Sequence, residues 1–276
     1  MGIRHTGIVL TGARSVDMVD DAVRRGGYDT LKVVTGWGIP GGWTRDAIRQ
    51  AVQVAPTIIV RTRSGDPSID GRFGGDFAFV DQHRVEVEIY GWYRERRDIW
   101  LELGNEPNIY ALSETQMHEY AYYLNTTIAR CRVAFPEAQL IAPAMKIDEP
   151  NAEQFMTICQ SAMQKADAIA LHAYEWTTFA GPVAGRKGDL ERALALAAKL
   201  FPEKRWWLTE FGINDPKLSA ATKGARCAAL LHQQKLPDQL IGATRYHLNH
   251  NATPNPEYHI SPAGDLAYHQ GRFGVV

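Results

Sequence analysis

Eight short apolar, often β-branched runs recur along this chain, each followed by an amphipathic stretch. They are Thr6–Leu10, Leu31–Thr35, Thr57–Arg61, Ile99–Leu103, Gln139–Ala142, Ala168–Ala173, Trp206–Thr209 and Ala243–Leu248. Their starts lie roughly 25 to 45 residues apart, the length of one strand, one helix and two loops. Eight such units within 276 residues are the pattern of an α/β chain closed into one (β/α)8 barrel, the TIM-barrel architecture. The competing arrangement, a doubly wound open sheet, expects a glycine-rich phosphate turn after the first strand. The turn there, Thr11-Gly12-Ala13-Arg14, has one glycine and does not fit GxGxxG.

The helices carry their own signals. Ser113 followed by Gln116 is a capping box that opens Glu114–Phe135. Thr44 caps Arg45–Val54, which Pro56 stops. Ser15 starts Val16–Arg25, which ends at Gly26-Gly27. Asp81–Arg96, Ala152–Lys165, Asp189–Phe201 and Ser219–Lys235 complete seven, and a short eighth is expected around Ala263–Gln270. No Pro/Gly/Ser linker and no break in composition divides the chain, so residues 1–276 are expected to form a single domain. With 45% hydrophobic and 22% charged residues the chain can bury a sizeable core and is not disordered.

Thirty basic and 31 acidic residues leave a net charge of −1, which argues against nucleic acid or an anionic membrane as partner. No apolar run approaches the ~20 residues of a membrane span. The N-terminus lacks the basic head and apolar run of a signal peptide. The expectation is a soluble chain, cytoplasmic or secreted with its leader removed. Cys131, Cys159 and Cys227 have no CxxC spacing and fall in expected helices, where they read as buried small hydrophobes rather than disulfide or metal ligands.

In a barrel, chemistry sits where strands end and the βα loops begin. Strand 4 runs out into Gly104-Asn105-Glu106-Pro107-Asn108, and strand 7 into Glu210-Phe211-Gly212. Both deliver a glutamate to one rim, across the mouth from each other. Two carboxylates facing over a cleft are what glycosidic cleavage needs: one protonated, to give the leaving oxygen a proton, and one ionised, to attack the anomeric carbon. Glu106, followed by Pro107 and facing Glu210, suits the acid. Glu210, near donors such as Tyr174, suits the ionised partner.

These residues also carry a family resemblance. Gly104-Asn105-Glu106-Pro107 resembles the acid/base motif of the clan of retaining glycoside hydrolases built on (β/α)8 barrels. Trp207-Leu208-Thr209-Glu210-Phe211-Gly212 resembles that clan's nucleophile motif. Leu171-His172-Ala173-Tyr174 is similar to its strand 6 segment, and Ser261-Pro262-Ala263-Gly264 to the opening of its last helix. The resemblance implies Glu106 as acid/base, Glu210 as nucleophile, Asn105 on the sugar 2-hydroxyl and Tyr174 orienting Glu210. Arg61, at the end of strand 3, becomes a charge partner for the nucleophile, although the clan usually draws that arginine from strand 2. Tyr246 or His247 stands where the clan often has a tryptophan platform.

The apolar face of a pyranose stacks on aromatic rings, so Trp37 and Trp176, in expected βα loops, are substrate-binding candidates. Trp92 and Trp100 suit packing, and Trp206 is expected to point outward toward a helix. The loop Arg63–Phe79 and the stretch Trp176–Gly188 are long enough to wall a pocket. His172 reads as a rim hydrogen-bonding histidine; His247, His250 and His259 have no metal-ligand spacing, and no metal or cofactor is expected. Lys146 and Asp148 read as solvated loop charges. The reading is a retaining glycosidase acting on an oligosaccharide, polysaccharide or glycoside. The alternative is a carbohydrate-binding barrel that has lost catalysis.

Overall fold

The structure is a computed structural model and describes residues 3–11, 16–25, 27–35, 45–62, 78–93, 98–109, 112–147, 149–175, 189–213, 218–232 and 235–248. Eight strands, β1 (His5–Thr11), β2 (Thr30–Thr35), β3 (Thr57–Thr62), β4 (Asp98–Glu102), β5 (Gln139–Lys146), β6 (Ala168–Glu175), β7 (Arg205–Ile213) and β8 (Leu240–Leu248), pair in parallel in chain order. β8 pairs with β1, which closes the barrel. Among the described residues seven helices fill the connections: α1 (Val16–Asp20), α2 (Arg45–Val54), α3 (Ala78–Tyr90), α4 (Glu114–Ala134), α5 (Ala152–Met163), α6 (Asp189–Leu200) and α7 (Ala220–His232). The chain is a (β/α)8 barrel, as the spacing of the apolar runs implied. The expected final helix lies outside the described residues.

Each helix lays one apolar stripe on the strands. In α2 the buried residues are Ala47, Ile48, Ala51 and Val52, one face of a helix with 3.6 residues per turn. The capping box at α4 is formed: Gln116 N donates to Ser113 Oγ, and the Gln116 side chain accepts from Ser113 N. Two helix ends depart most from the sequence reading. α1 passes into a π-helical turn, Asp21–Arg25, before the chain reverses at Gly27. α3 stops at Tyr90, short of Arg96, because Gly91 adopts φ +66° and its N–H bonds back to Val87 O, a left-handed helix end.

The strands alternate between two cores. Residues facing outward, such as Leu31, Val33, Ile58, Val60, Leu101 and Leu208, pack under the helices. Ile59, Trp100, Ile141, Ala144, Ala168, Ala170, Trp207 and Ile241 face inward and plug the lower barrel. The consecutive Trp206 and Trp207 show the alternation: Trp206 points outward and donates its indole N–H to Phe201 O, while Trp207 meets Trp100 edge-on inside, with ring centroids 5.5 Å apart. β8 approaches Trp207 closely, and a Cβ at Gly242 would overlap its indole ring. Cys131, Cys159 and Cys227 are buried thiols outside any disulfide, on α4, α5 and α7, and burial pushes the pKa of Cys131 and Cys159 up to about 12. Among the described residues no helix is long and apolar enough to cross a membrane.

Candidate active site

Two residues beyond each of four lower-barrel residues, the same inward face turns polar. Ile59 is followed by Arg61, Trp100 by Glu102, Ala170 by His172 and Trp207 by Thr209. Strand periodicity carries these side chains to the upper interior. On β2, Lys32 sits between outward-facing Leu31 and Val33 and so also points in. β7 adds a bulge: Leu208 pairs with Leu171, but Glu210 rather than Thr209 pairs with His172. The extra residue lets both Thr209 and Glu210 face the interior, which strict alternation would forbid.

Glu210 is held from both sides. Its Oε1 accepts from Lys32 Nζ at 2.9 Å and from Arg61 Nη1 at 3.0 Å. Its Oε2 accepts from Tyr174 Oη at 2.5 Å. Burial opposes its charge, but His172, Lys32, Arg61 and the Tyr174 hydroxyl outweigh it and hold the carboxyl well below the usual carboxylate range. Beneath it, Lys32 pairs with Glu102 Oε2 at 2.7 Å, and Thr209 Oγ1 donates to Glu102 Oε1 at 2.5 Å. Burial again works against ionisation, yet chiefly Lys32 holds Glu102 at about 2. His172 Nδ1 lies 2.8 Å from Glu106 Oε1. Its burial disfavours the cation, but the surrounding carboxylates, Glu210 foremost, raise its pKa.

Glu106 is carried differently, on the turn beyond β4, in a left-handed conformation with φ +43°. A non-glycine residue there is strained, and such strain persists only where the surroundings impose it. The surroundings are specific. Glu106 N donates to Ala144 O at 2.8 Å, and Asn105 forms a parallel bridge with Ala144. Asn108, buried in the turn Pro107–Ile109, clamps the turn to β5: its Nδ2 donates to Lys146 O and its Oδ1 accepts from Lys146 N. Gly104, at φ +122°, lets the chain leave β4 where a Cβ would lie 3.1 Å from Tyr120 Oη.

The outcome is a gradient from a dry floor to an open top. The Lys32, Glu102 and His172 side chains are fully buried, that of Glu210 is 6% exposed, and those of Glu106 and Arg61 are each 14% exposed. One oxygen each of Glu106 and Glu210 and a ring nitrogen of His172 lie within 4.8 Å of one another. Such a trio has ligand atoms for a metal, but Lys32 and Arg61 already place two positive charges on Glu210 Oε1, which a further cation would face.

The sequence candidates Arg61, Asn105, Glu106, His172, Tyr174 and Glu210 thus come together, with Arg61 also donating to Asn105 Oδ1. Tyr246 lies in β8 beside Val9 of β1. Trp37, Trp176, Asp148 and residues 63–77 lie outside the described residues. Lys146 pairs with Glu149 at 3.0 Å on the rim rather than entering the site. Sequence reading missed Lys32 and Glu102. Their signal was available: a charged residue inside an apolar strand, on the inward alternation.

Comparison with known proteins bears on the family and the fold. Residues 99–238, just over half of the chain, match the family model described as the glycosyl hydrolase catalytic core. Among solved structures, a family 39 glycoside hydrolase from Bacteroides cellulosilyticus WH2 superposes with a TM-score of 0.65 at 14% identity, over 98% of this chain and 64% of that one. This chain thus spans less than two thirds of that relative. The Pseudomonas stutzeri endoglucanase Cel5A gives 0.62 at 14% identity, over 100% and 95% of the two chains. A GH30 endoxylanase from Clostridium papyrosolvens C71 gives 0.58 at 14%, over 99% and 72%. At such identity these likenesses speak for the fold. Curated proteins give no match by sequence. The family assignment rests on the matched segment, which contains both glutamates: the chain belongs to the glycosyl hydrolase catalytic core family.

Proposed function

We propose that this protein hydrolyses O-glycosidic bonds with retention, Glu210 acting as nucleophile and Glu106 as acid/base. The observation that carries the reading is the pair itself: two carboxyl groups, one oxygen of each within 4.8 Å of the other, at the upper end of a barrel, one held ionised by two cations and the other on an imidazole. Inversion needs carboxyl groups ~6.5–9.5 Å apart to seat a water between them, whereas retention brings them to ~5–5.5 Å. In the first step a Glu210 oxygen forms a bond to the anomeric carbon. The glycosidic C–O bond breaks, and the leaving oxygen takes the proton of Glu106. In the second step water attacks the anomeric carbon, gives its proton to Glu106, and the ester electrons return to Glu210. With Arg61 on its side-chain oxygen, Asn105 is oriented to donate its amide N–H to the sugar 2-hydroxyl. Oligosaccharides, polysaccharides and simple glycosides are the substrate class. The chemistry needs water and no cofactor.

The test is kinetic, on a panel of aryl glycosides. Glu210→Ala abolishes turnover. Glu106→Ala slows it by ~10²–10⁴-fold, and azide restores part of the rate for a good leaving group by attacking the glycosyl-enzyme, giving a glycosyl azide of retained configuration. Full activity in both variants would overturn the reading.

A further inference from the structure

Lys32 and Glu102 lie beneath the reacting groups and are fully buried, so neither meets the sugar. Lys32 nonetheless faces three groups: Glu102 Oε2 at 2.7 Å, Glu210 Oε1 at 2.9 Å and His172 Nε2 at 3.4 Å. An ammonium has donors and no acceptor, so when the His172 ring is neutral its Nε2 accepts there. The ring hydrogen is then on Nδ1, where it donates to Glu106 Oε1 at 2.8 Å. One side chain on β2 therefore bonds the nucleophile directly and, when the ring is neutral, sets the tautomer of the ring that holds the acid/base.

We propose that Lys32 is a positioning residue for both glutamates and that Glu102 is its counter-charge, so that the pair supports the site without adding net charge to it. The inference rests on reading Glu210 as nucleophile and Glu106 as acid/base. The groups around Glu210 are Lys32 from β2, Arg61 from β3, Glu102 and Glu106 from β4 and its turn, and His172 and Tyr174 from β6. Before glycosyl transfer the two cations balance Glu102 and Glu210, with Glu106 protonated and His172 neutral. When the ester forms, Glu210 loses its charge and Glu106, having given up its proton, gains one. The sum is zero at both stages. Lys32 without Glu102 would make the site positive and over-stabilise an anionic nucleophile. Glu102 without Lys32 would make it negative and resist ionisation of Glu210.

Lys32→Met, Glu102→Gln and the double variant separate these effects through the pH profile of kcat/KM on an activated aryl glycoside. Lys32→Met moves the acid limb up by about one pH unit or more and lowers kcat by about 10²-fold. Glu102→Gln moves the acid limb down. The double variant, neutral again, brings the limb back toward that of the native enzyme. Should Lys32→Met fail to fold, Glu102→Gln and the double variant, which leaves no orphaned buried charge, still give the readout. An acid limb that stays in place in Glu102→Gln, or a double variant displaced from the native limb further than that single variant, overturns the proposal. If Glu210→Ala keeps its turnover, the nucleophile reading fails. If it loses turnover while the charge variants leave the limb in place, only the Lys32–Glu102 role fails.

Discussion

The lower barrel interior packs Trp100 and Trp207 among isoleucines and alanines, while two residues further along the same strands the upper interior packs Glu102, Thr209, Arg61 and His172. Both tiers are closed to water at their base, and both obey the same alternation. They differ in what holds them. The lower tier gains from dispersion and from apolar area removed from water, which is non-directional and insensitive to pH. The upper tier buries charges that are tolerable only as matched pairs, so each member depends on its partners. The comparison teaches that the barrel separates its tasks by height: stability is concentrated below, and a pre-set electrostatic field, costly on its own, is carried on top of it.

The sharpest way to break that division is at the nucleophile. Glu210→Gln is expected to lower kcat by at least about 10⁴-fold while circular dichroism stays native and the unfolding midpoint falls only by what its ion pairs with Lys32 and Arg61 contribute. A collapse of the fold instead would mean that the two tiers are one structural unit. Trp207→Ala works from the other side. Removing a fully buried indole from the lower plug should cost ~3–5 kcal/mol in denaturant unfolding, with kcat of the folded fraction little changed.

Asn108→Ala probes the strained turn above the upper tier. Losing the two-sided clamp on Lys146 should cost ~1–3 kcal/mol and let Glu106 leave its left-handed conformation, lowering kcat by about 10-fold with little effect on KM. An unchanged kcat would show that β5 does not hold the acid/base in place.

The smallest effect is on pH. A Glu102 carboxyl held at about 2, against an ordinary 4.5, contributes stability that is fully present above 4.5 and is lost as pH falls from there toward 2. Glu210, depressed further, loses its contribution at still lower pH. His172 runs the other way: with its pKa raised above 6.5, its contribution is complete below that value and fades as pH rises through the folded-state pKa. The unfolding midpoint should therefore fall on the acid side below pH 4.5. Glu102→Gln should flatten that arm, whereas Trp207→Ala should lower the whole curve without changing its shape.

The barrel itself was legible because its signals are local. Eight apolar, often β-branched runs, each followed by an amphipathic stretch, define strands whose outer faces need no knowledge of the partner strands. The two glutamates were legible for the same reason: Asn105-Glu106-Pro107 and Thr209-Glu210-Phe211 stand at strand ends, where chemistry is expected. Lys32 and Glu102 were not, because a charge within an apolar strand gains meaning only when barrel closure brings β2, β4, β6 and β7 onto one axis. The bulge in β7 is of the same kind. Sequence reading ended that strand at Thr209, before Glu210, whereas it runs on to Ile213 with Glu210 in the ladder opposite His172. The left-handed Glu106 was likewise invisible, since its conformation is imposed by Ala144 and Lys146 on the next strand and by nothing in its own sequence.

The central claim is that Glu210 becomes covalently attached to the sugar. Incubation with an activated 2-deoxy-2-fluoro glycoside, followed by intact-mass measurement and peptide mapping, tests it directly. The account predicts a single adduct of one glycosyl unit on the peptide containing Glu210, formed with loss of activity and absent in Glu210→Ala. An adduct on another residue, or turnover that proceeds without an adduct and releases a product of inverted anomeric configuration, would contradict it.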